Sequence, residues 1–274
     1  MTRTRALSSL ALTTALSVAA LTACGSTPSP RTPGAASAAP GQAGDGTPAT
    51  VGGVTELATG LDMPWGLTFL PDGSALVSGR ASGQIHHIPA GGGRADPVGG
   101  VPDVSVSAEG GLLGLAASPD FARDRTVYAY VSSSPTNRVV ALRVSEDMGS
   151  LSRERVVLEG IETADRHHGG RLRFGPEGDL WIGTGDAFEP GNAAEDDSLN
   201  GKILRVRPDG SVPEGNPGGS PVYSSGHRNV QGIAFGPDGT AYASELGHRT
   251  WDELNVPRPG LRRGPDRQRT DAPA

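Results

Sequence analysis

Apolar and polar positions alternate along this chain in short runs, and one recurring turn separates the runs. Phe69-Leu70-Pro71-Asp72-Gly73 returns as Phe174-Gly175-Pro176-Glu177-Gly178 and as Phe235-Gly236-Pro237-Asp238-Gly239, with a degenerate copy at Ala117-Ser118-Pro119-Asp120-Phe121. In each full copy an apolar strand ends in Phe, Pro presets φ and Gly accepts φ > 0. An alternating strand follows, such as Ala75-Leu76-Val77 or Leu180-Trp181-Ile182. Each copy is a β-hairpin signal. From Pro71 to Pro119, Pro176 and Pro237 the steps are 48, 57 and 61 residues, at or somewhat above the blade period of β-propellers. The expected fold is all-β, an array of propeller blades.

The periodicity divides the chain into four units. The first, about 54–100, has Met63–Phe69 as an inner strand and Gln84–Ile88 as a later one. The second, about 101–160, holds three strong strand signals at Gly110–Ala116, Thr126–Val131 and Asn137–Val144. The third, about 161–222, contains a long polar stretch without strand character, Gly185 to Asn200, before Lys202–Val206. A long loop in a tight repeat points to function. The fourth runs from Tyr223 to Asn255. Residues 256–274 lose the alternation and are rich in Pro, Arg and Gly, which predicts a disordered tail and an array of about three to four blades. The break is also what loss of the reading frame near residue 256 would produce.

Composition changes the picture mainly at the N-terminus. Arg3 and Arg5, an apolar or small stretch over 6–20 and Leu21-Thr22-Ala23-Cys24 read as an export signal resembling that of bacterial lipoproteins. Cys24 would then carry the lipid and hold the protein on the outer face of the cytoplasmic membrane by the anchor alone. It is the only cysteine, so the chain can form neither an internal disulfide nor a cysteine-based metal cluster. Residues 25–53, almost all Ser, Thr, Pro, Ala and Gly, read as a disordered tether, leaving 54–255 for the propeller. The 41 glycines suit a turn-rich β domain. A net charge of −6 with interspersed signs argues against nucleic acid as a partner.

Three segments combine Gly, His, Arg and acids where a blade's first strand begins, the end that faces a propeller's central channel. They are Ala108-Glu109-Gly110-Gly111-Leu112-Leu113-Gly114, Arg166-His167-His168-Gly169-Gly170-Arg171-Leu172 and Ser225-Gly226-His227-Arg228-Asn229-Val230-Gln231-Gly232. With Glu245-Leu246-Gly247 and Trp251-Asp252-Glu253-Leu254-Asn255, they resemble the glucose/sorbosone dehydrogenase family over residues 54–255. That family consists of six-bladed propellers that use pyrroloquinoline quinone (PQQ).

The resemblance implies a sugar dehydrogenase that oxidises the anomeric hydroxyl of an aldose to a lactone and passes electrons to an external acceptor. It puts His167 at the general base, a role suited to an imidazole titrating near working pH. Arg228 would stand beside the quinone's reacting oxygens, with Asn229 and Glu109 helping to hold the cofactor. The backbone carbonyls of Gly247 and His248 would bind a calcium ion, although family members often carry Pro at the second position. Asp252 and Glu253 resemble a second calcium position, a plain surface pair being an equal reading.

Other polar groups read more simply. His168, adjacent to His167 on an expected strand, should face away from the site. His86 and His87 read as surface or packing residues, and Arg171 equally as a site residue or as the partner of a neighbouring acid. Asp186, Glu195, Asp196 and Asp197 read as a solvated acidic loop. No Ser-His-Asp arrangement is apparent in the sequence. Two other function classes stay open: an inactive fragment acting at most as a surface binding module, and a calcium-dependent propeller lactonase.

Overall fold

The three full copies of the turn fold alike. Leu70 N–H donates to Ser74 O, Gly175 N–H to Asp179 O and Gly236 N–H to Thr240 O, and the turn glycines Gly73, Gly178 and Gly239 sit at φ of 82°, 83° and 81°. Another copy, Pro208-Asp209-Gly210-Ser211, closes in the same way through Arg207 N–H and Ser211 O. The degenerate copy lacks the glycine, and there the chain makes a short helix instead.

The computed structural model describes residues 52–248 and 251–262. The expected export signal, Cys24 and the tether up to residue 51 lie outside the described residues, as do residues 263–274. Blade 1 is β1 (Pro64–Phe69), β2 (Ala75–Gly79), β3 (Gln84–Ile88) and β4 (Asp96–Gly100). Blade 2 is β5 (Leu112–Ala117), helix α1 (Phe121–Asp124), β6 (Thr126–Val131), β7 (Thr136–Val144) and β8 (Leu151–Glu162). Blade 3 is β9 (Gly169–Phe174), β10 (Leu180–Thr184), helix α2 (Pro190–Ala194), β11 (Lys202–Val206) and β12 (Val222–Ser225). Blade 4 is β13 (Val230–Phe235), β14 (Ala241–Glu245) and β15 (Glu253–Asn255). Each sheet is an antiparallel meander in sequence order, and the first strands β1, β5, β9 and β13 lie side by side in succession, as in a β-propeller.

Strand alternation, shifted in β5 by a bulge between Leu112 and Leu115, builds the cores. Leu112 and Leu115 of β5 enter a core shared with Leu76, Ile85 and Val98 of blade 1, whereas Leu113 and Ala116 enter one shared with Leu172, Leu180 and Ile182 of blade 3. Trp181 and Ile203 of blade 3 turn the other way, toward Val230, Ile233 and Ala243 of blade 4. Central blades are thus apolar on both faces, which is why β6 and β10 are buried throughout. The end blades differ: Leu67 and Phe69 of β1 and Tyr242 of β14 stay exposed on the faces that no described blade covers.

The tail departs from expectation. Instead of leaving the domain at Asn255, residues 256–262 turn back along β12, where Gly260 N–H donates to Tyr223 O, Ser225 N–H donates to Leu261 O and Arg262 pairs with Asp196. The outer strand of blade 3 offers free backbone groups, and the segment satisfies them. The long loop from Gly185 to Asn200 likewise contains helix α2.

Candidate active site

Glycine lets three chain segments meet at one end of the inner strands. Gly185, just after β10, lies so close to the segment before β9 that a Cβ there would collide with the His167 carbonyl. Three of the seven non-glycine residues with positive φ among the described residues, His167 (59°), Ala187 (58°) and Phe188 (62°), sit at this crossing. Such backbone costs about 1–3 kcal/mol per residue, and it is held by bonds on both sides. His167 N–H donates to Glu109 Oε2 at 2.8 Å, and Phe188 N–H to Asp186 Oδ1 at 2.9 Å.

The strained turn delivers His167 to Asp186. Both are buried, and Nδ1 lies 2.6 Å from Asp186 Oδ1. An ionised carboxylate only accepts, so Nδ1 carries the proton and Nε2 keeps its lone pair. No described group bonds Nε2. The ring meets Phe188 edge-on, with centroids 5.0 Å apart, and looks onto a cavity of about 450 Å³ lined by Glu109, Arg166, His167, Phe188, Arg228, Leu246, Gly247, His248 and Asp252. The expected site residues Glu109, His167, Arg228, Gly247 and His248 therefore come together.

Arg228 is fixed at both ends. Its N–H donates to Glu245 Oε2 at 3.1 Å, and its guanidinium donates to Leu246 O at 2.7 Å and Gly247 O at 2.8 Å. Asn229 lies behind the cavity wall, 1% exposed, where its Oδ1 accepts the Gly169 N–H at 2.9 Å. Its Nδ2 is buried with no partner, a donor left over in an otherwise satisfied network.

The glucose/sorbosone dehydrogenase family model matches residues 61–266, most of the propeller. The chain belongs to the glucose/sorbosone dehydrogenase family. Aldose sugar dehydrogenase YliI of Escherichia coli is 34% identical over 231 residues, covering 79% of this chain and 62% of that protein. Quinoprotein glucose dehydrogenase B of Acinetobacter calcoaceticus is 31% identical, covering 73% of this chain and 49% of that one. The PQQ-bound aldose sugar dehydrogenase of Streptomyces coelicolor superposes with a TM-score of 0.74 at 48% identity, over 76% of this chain and 63% of its own. The chain thus spans less than two thirds of the length of these relatives.

This family member holds a second histidine–acid pair one blade further on. His227 Nδ1 lies 2.5 Å from Glu245 Oε1, and Nε2 lies 2.8 Å from Ser224 Oγ. All three residues are buried, His227 completely. Burial opposes ionisation of Glu245, but the His227 hydrogen bond and charge, the Arg228 N–H and the Asn255 amide together hold its carboxyl below the ordinary value. The array has the connectivity of a hydrolase triad, which the sequence did not reveal, yet its serine is 1% exposed and lines no cavity described here.

Asp186 and Arg171 differ from expectation, and His168 keeps its expected place for another reason. Asp186 belongs to no solvated loop; it is 3% exposed and bonded to the candidate base. His168 stays out of the cavity, but the chain before β9 is not extended; His168 is buried among Ser107, Ser132 and Asn137, and desolvation pushes its pKa down. Arg171 finds an aromatic face instead of an acid, lying 4.4 Å over Trp65 while its Nε–H donates to Gln231 O. Glu195, Asp196 and Asp197 are exposed, and His86 and His87 are half-buried in β3. Asp252 accepts the Gly247 N–H at 3.0 Å, and Asn255 Nδ2 donates to Glu253. Arg166 and Phe188 are cavity residues that the sequence reading passed over.

Proposed function

We propose that this chain is a PQQ-dependent aldose dehydrogenase that oxidises the anomeric hydroxyl of a sugar to the lactone. One observation carries the reading: His167 is held at Nδ1 by Asp186 and presents a free Nε2 to the cavity that Arg228 lines. The residues present suit an anionic quinone. Arg166 and Arg228 supply positive charge, and Phe188 and Leu246 supply apolar wall. Bound PQQ would supply the acceptor for the hydride that leaves the sugar carbon.

The protein's share is proton chemistry and positioning. Nε2 takes the hydroxyl proton, Asp186 stabilises the imidazolium that results, and Glu109 holds the backbone that aims the ring. Arg228 stands where a guanidinium stabilises negative charge developing in the cavity. The calcium ion expected at the Gly247 and His248 carbonyls would share Gly247 O with Arg228, whose guanidinium already donates to it. Anchored through Cys24, the site would face an external electron acceptor outside the cytoplasmic membrane.

Calorimetric titration of PQQ into the full chain, with dye-linked aldose oxidation alongside, tests the reading. The expected result is binding by both parent and His167→Ala, with turnover in the parent alone. Binding with no aldose oxidation in the parent would overturn the reading and leave a binding module without turnover.

A further inference from the structure

Beneath the loop that carries Asp186 lies a lysine the proposed chemistry does not use. Lys202 opens β11 and is fully buried. Each of its three N–H donors has a backbone carbonyl: Asn192 O at 2.7 Å, Ala193 O at 3.1 Å and Asn200 O at 2.8 Å. A buried ammonium is costly unless every donor is met, and here every donor is met. Asn192 and Ala193 lie in the last turn of α2, whose carbonyls have no partner within the helix. Burial pushes the lysine down to about 8, opposed by Asp196, Glu195 and Asp197 of the same loop and assisted by Arg262 from the tail; it is charged at neutral pH.

The cage connects to the site by two short paths. Asn192 Nδ2 donates to Asp186 O at 3.1 Å, and Glu189 N–H donates to the same carbonyl at 3.1 Å. Asp186 Oδ1 in turn fixes both His167 Nδ1 and Phe188 N–H. On the other side, Ala193 O also accepts the Gly226 N–H, two residues before Arg228. The ammonium thus ties together the loop that orients the candidate base and the turn that presents the candidate guanidinium.

We propose that Lys202 is a positioning residue of the active site: its ammonium fills a carbonyl cage under residues 185–201 and thereby sets the His167–Asp186 pair. It touches no cavity atom and acts through Asn192 and Asp186. The proposal rests on the reading of His167 as the base, but its test needs neither quinone nor turnover.

The test compares full-length parent, Lys202→Met and Lys202→Arg by ¹⁵N-histidine NMR and amide exchange. In Lys202→Met the His167 Nδ1–H signal is lost, and the Phe188 and Gly226 amides exchange about tenfold faster or more, while Ala129 and Tyr130 in β6 keep their protection. Lys202→Arg, which keeps a cation with several donors, restores at least part of the His167 signal. Should Lys202→Met not fold, Asn192→Ala tests the second link. It removes the amide donor to Asp186 but keeps the ammonium and its carbonyls, and should release the His167 signal with Gly226 unaffected. An unchanged His167 signal in the folded variants overturns the proposal, as does faster exchange spread equally over β6. A chain that binds no PQQ yet shows the local loss refutes the quinone reading and leaves the Lys202 assignment standing.

Discussion

Two neighbouring blades carry the same pair of groups and leave them in opposite surroundings. In blade 3, His167 precedes the first strand and Asp186 follows the second; in blade 4, His227 precedes the first strand and Glu245 ends the second. Both imidazoles give Nδ1–H to a buried carboxylate. They differ at the other nitrogen. His227 Nε2 is closed by Ser224 and has no exposed surface, whereas His167 Nε2 has no partner among the described residues and meets a cavity. The carboxylate alone therefore does not make a base. A histidine–acid pair becomes reactive where the fold leaves its third position open, and it becomes a structural clamp where the fold closes it.

The first way to break the comparison is to delete each imidazole. His167→Ala should lower PQQ-linked aldose turnover by about 10²–10⁴-fold, the usual worth of a positioned base. His227→Ala should instead lower stability by about 3–5 kcal/mol in urea unfolding, because it strands a buried carboxylate. If the two effects were exchanged, the division of roles would be wrong. Next in size is Asp186→Asn, which keeps the shape but not the charge. Turnover should fall on the order of 10–100-fold, as for other carboxylates that orient a histidine, with little change in PQQ affinity by calorimetry.

Acid sharpens the contrast through Glu245. Its folded pKa is depressed from the ordinary 4.5, so the unfolded chain takes up the proton first as pH falls. The contribution is complete above that value and is lost as pH drops through the folded pKa. Glu245→Gln should accordingly be less stable than the parent at neutral pH, with the gap closing below about pH 4.5 in denaturation curves measured across pH. The smallest expected effect belongs to Ser224→Ala. It opens His227 Nε2 without giving it a cavity, costing about 1 kcal/mol of stability and leaving turnover unchanged.

The strands were legible because their signals are local. Thr126–Val131 and Lys202–Val206 fell at the observed limits of β6 and β11, since both runs are dense in β-branched, aromatic and aliphatic residues. The degenerate turn did not reveal α1, because a missing glycine says what the chain cannot do without saying what replaces it. At the site, the motif resemblance brought Glu109, His167, Arg228, Gly247 and His248 to one cavity across nearly the whole propeller. It placed Asn229 there too, whereas the fold sets Asn229 behind the wall. Partners were harder to read. Asp186 reaches His167 across the β9–β10 hairpin, Glu245 reaches His227 across β13–β14, and Trp65 lies two blades from Arg171. The repeat offered one usable signal, an acid at or just past the end of the second strand of each of two blades.

The most direct test follows the ring nitrogens of both histidines by ¹⁵N NMR while PQQ is added to the full chain, with assignments from the single variants. The Nε2 resonance of His167 should shift with added PQQ, while both nitrogens of His227 and the Nδ1 of His167 should stay near their starting values. A shift at His227 with His167 unmoved would contradict the claim that the open third position, and not the histidine–acid pair itself, marks the working site.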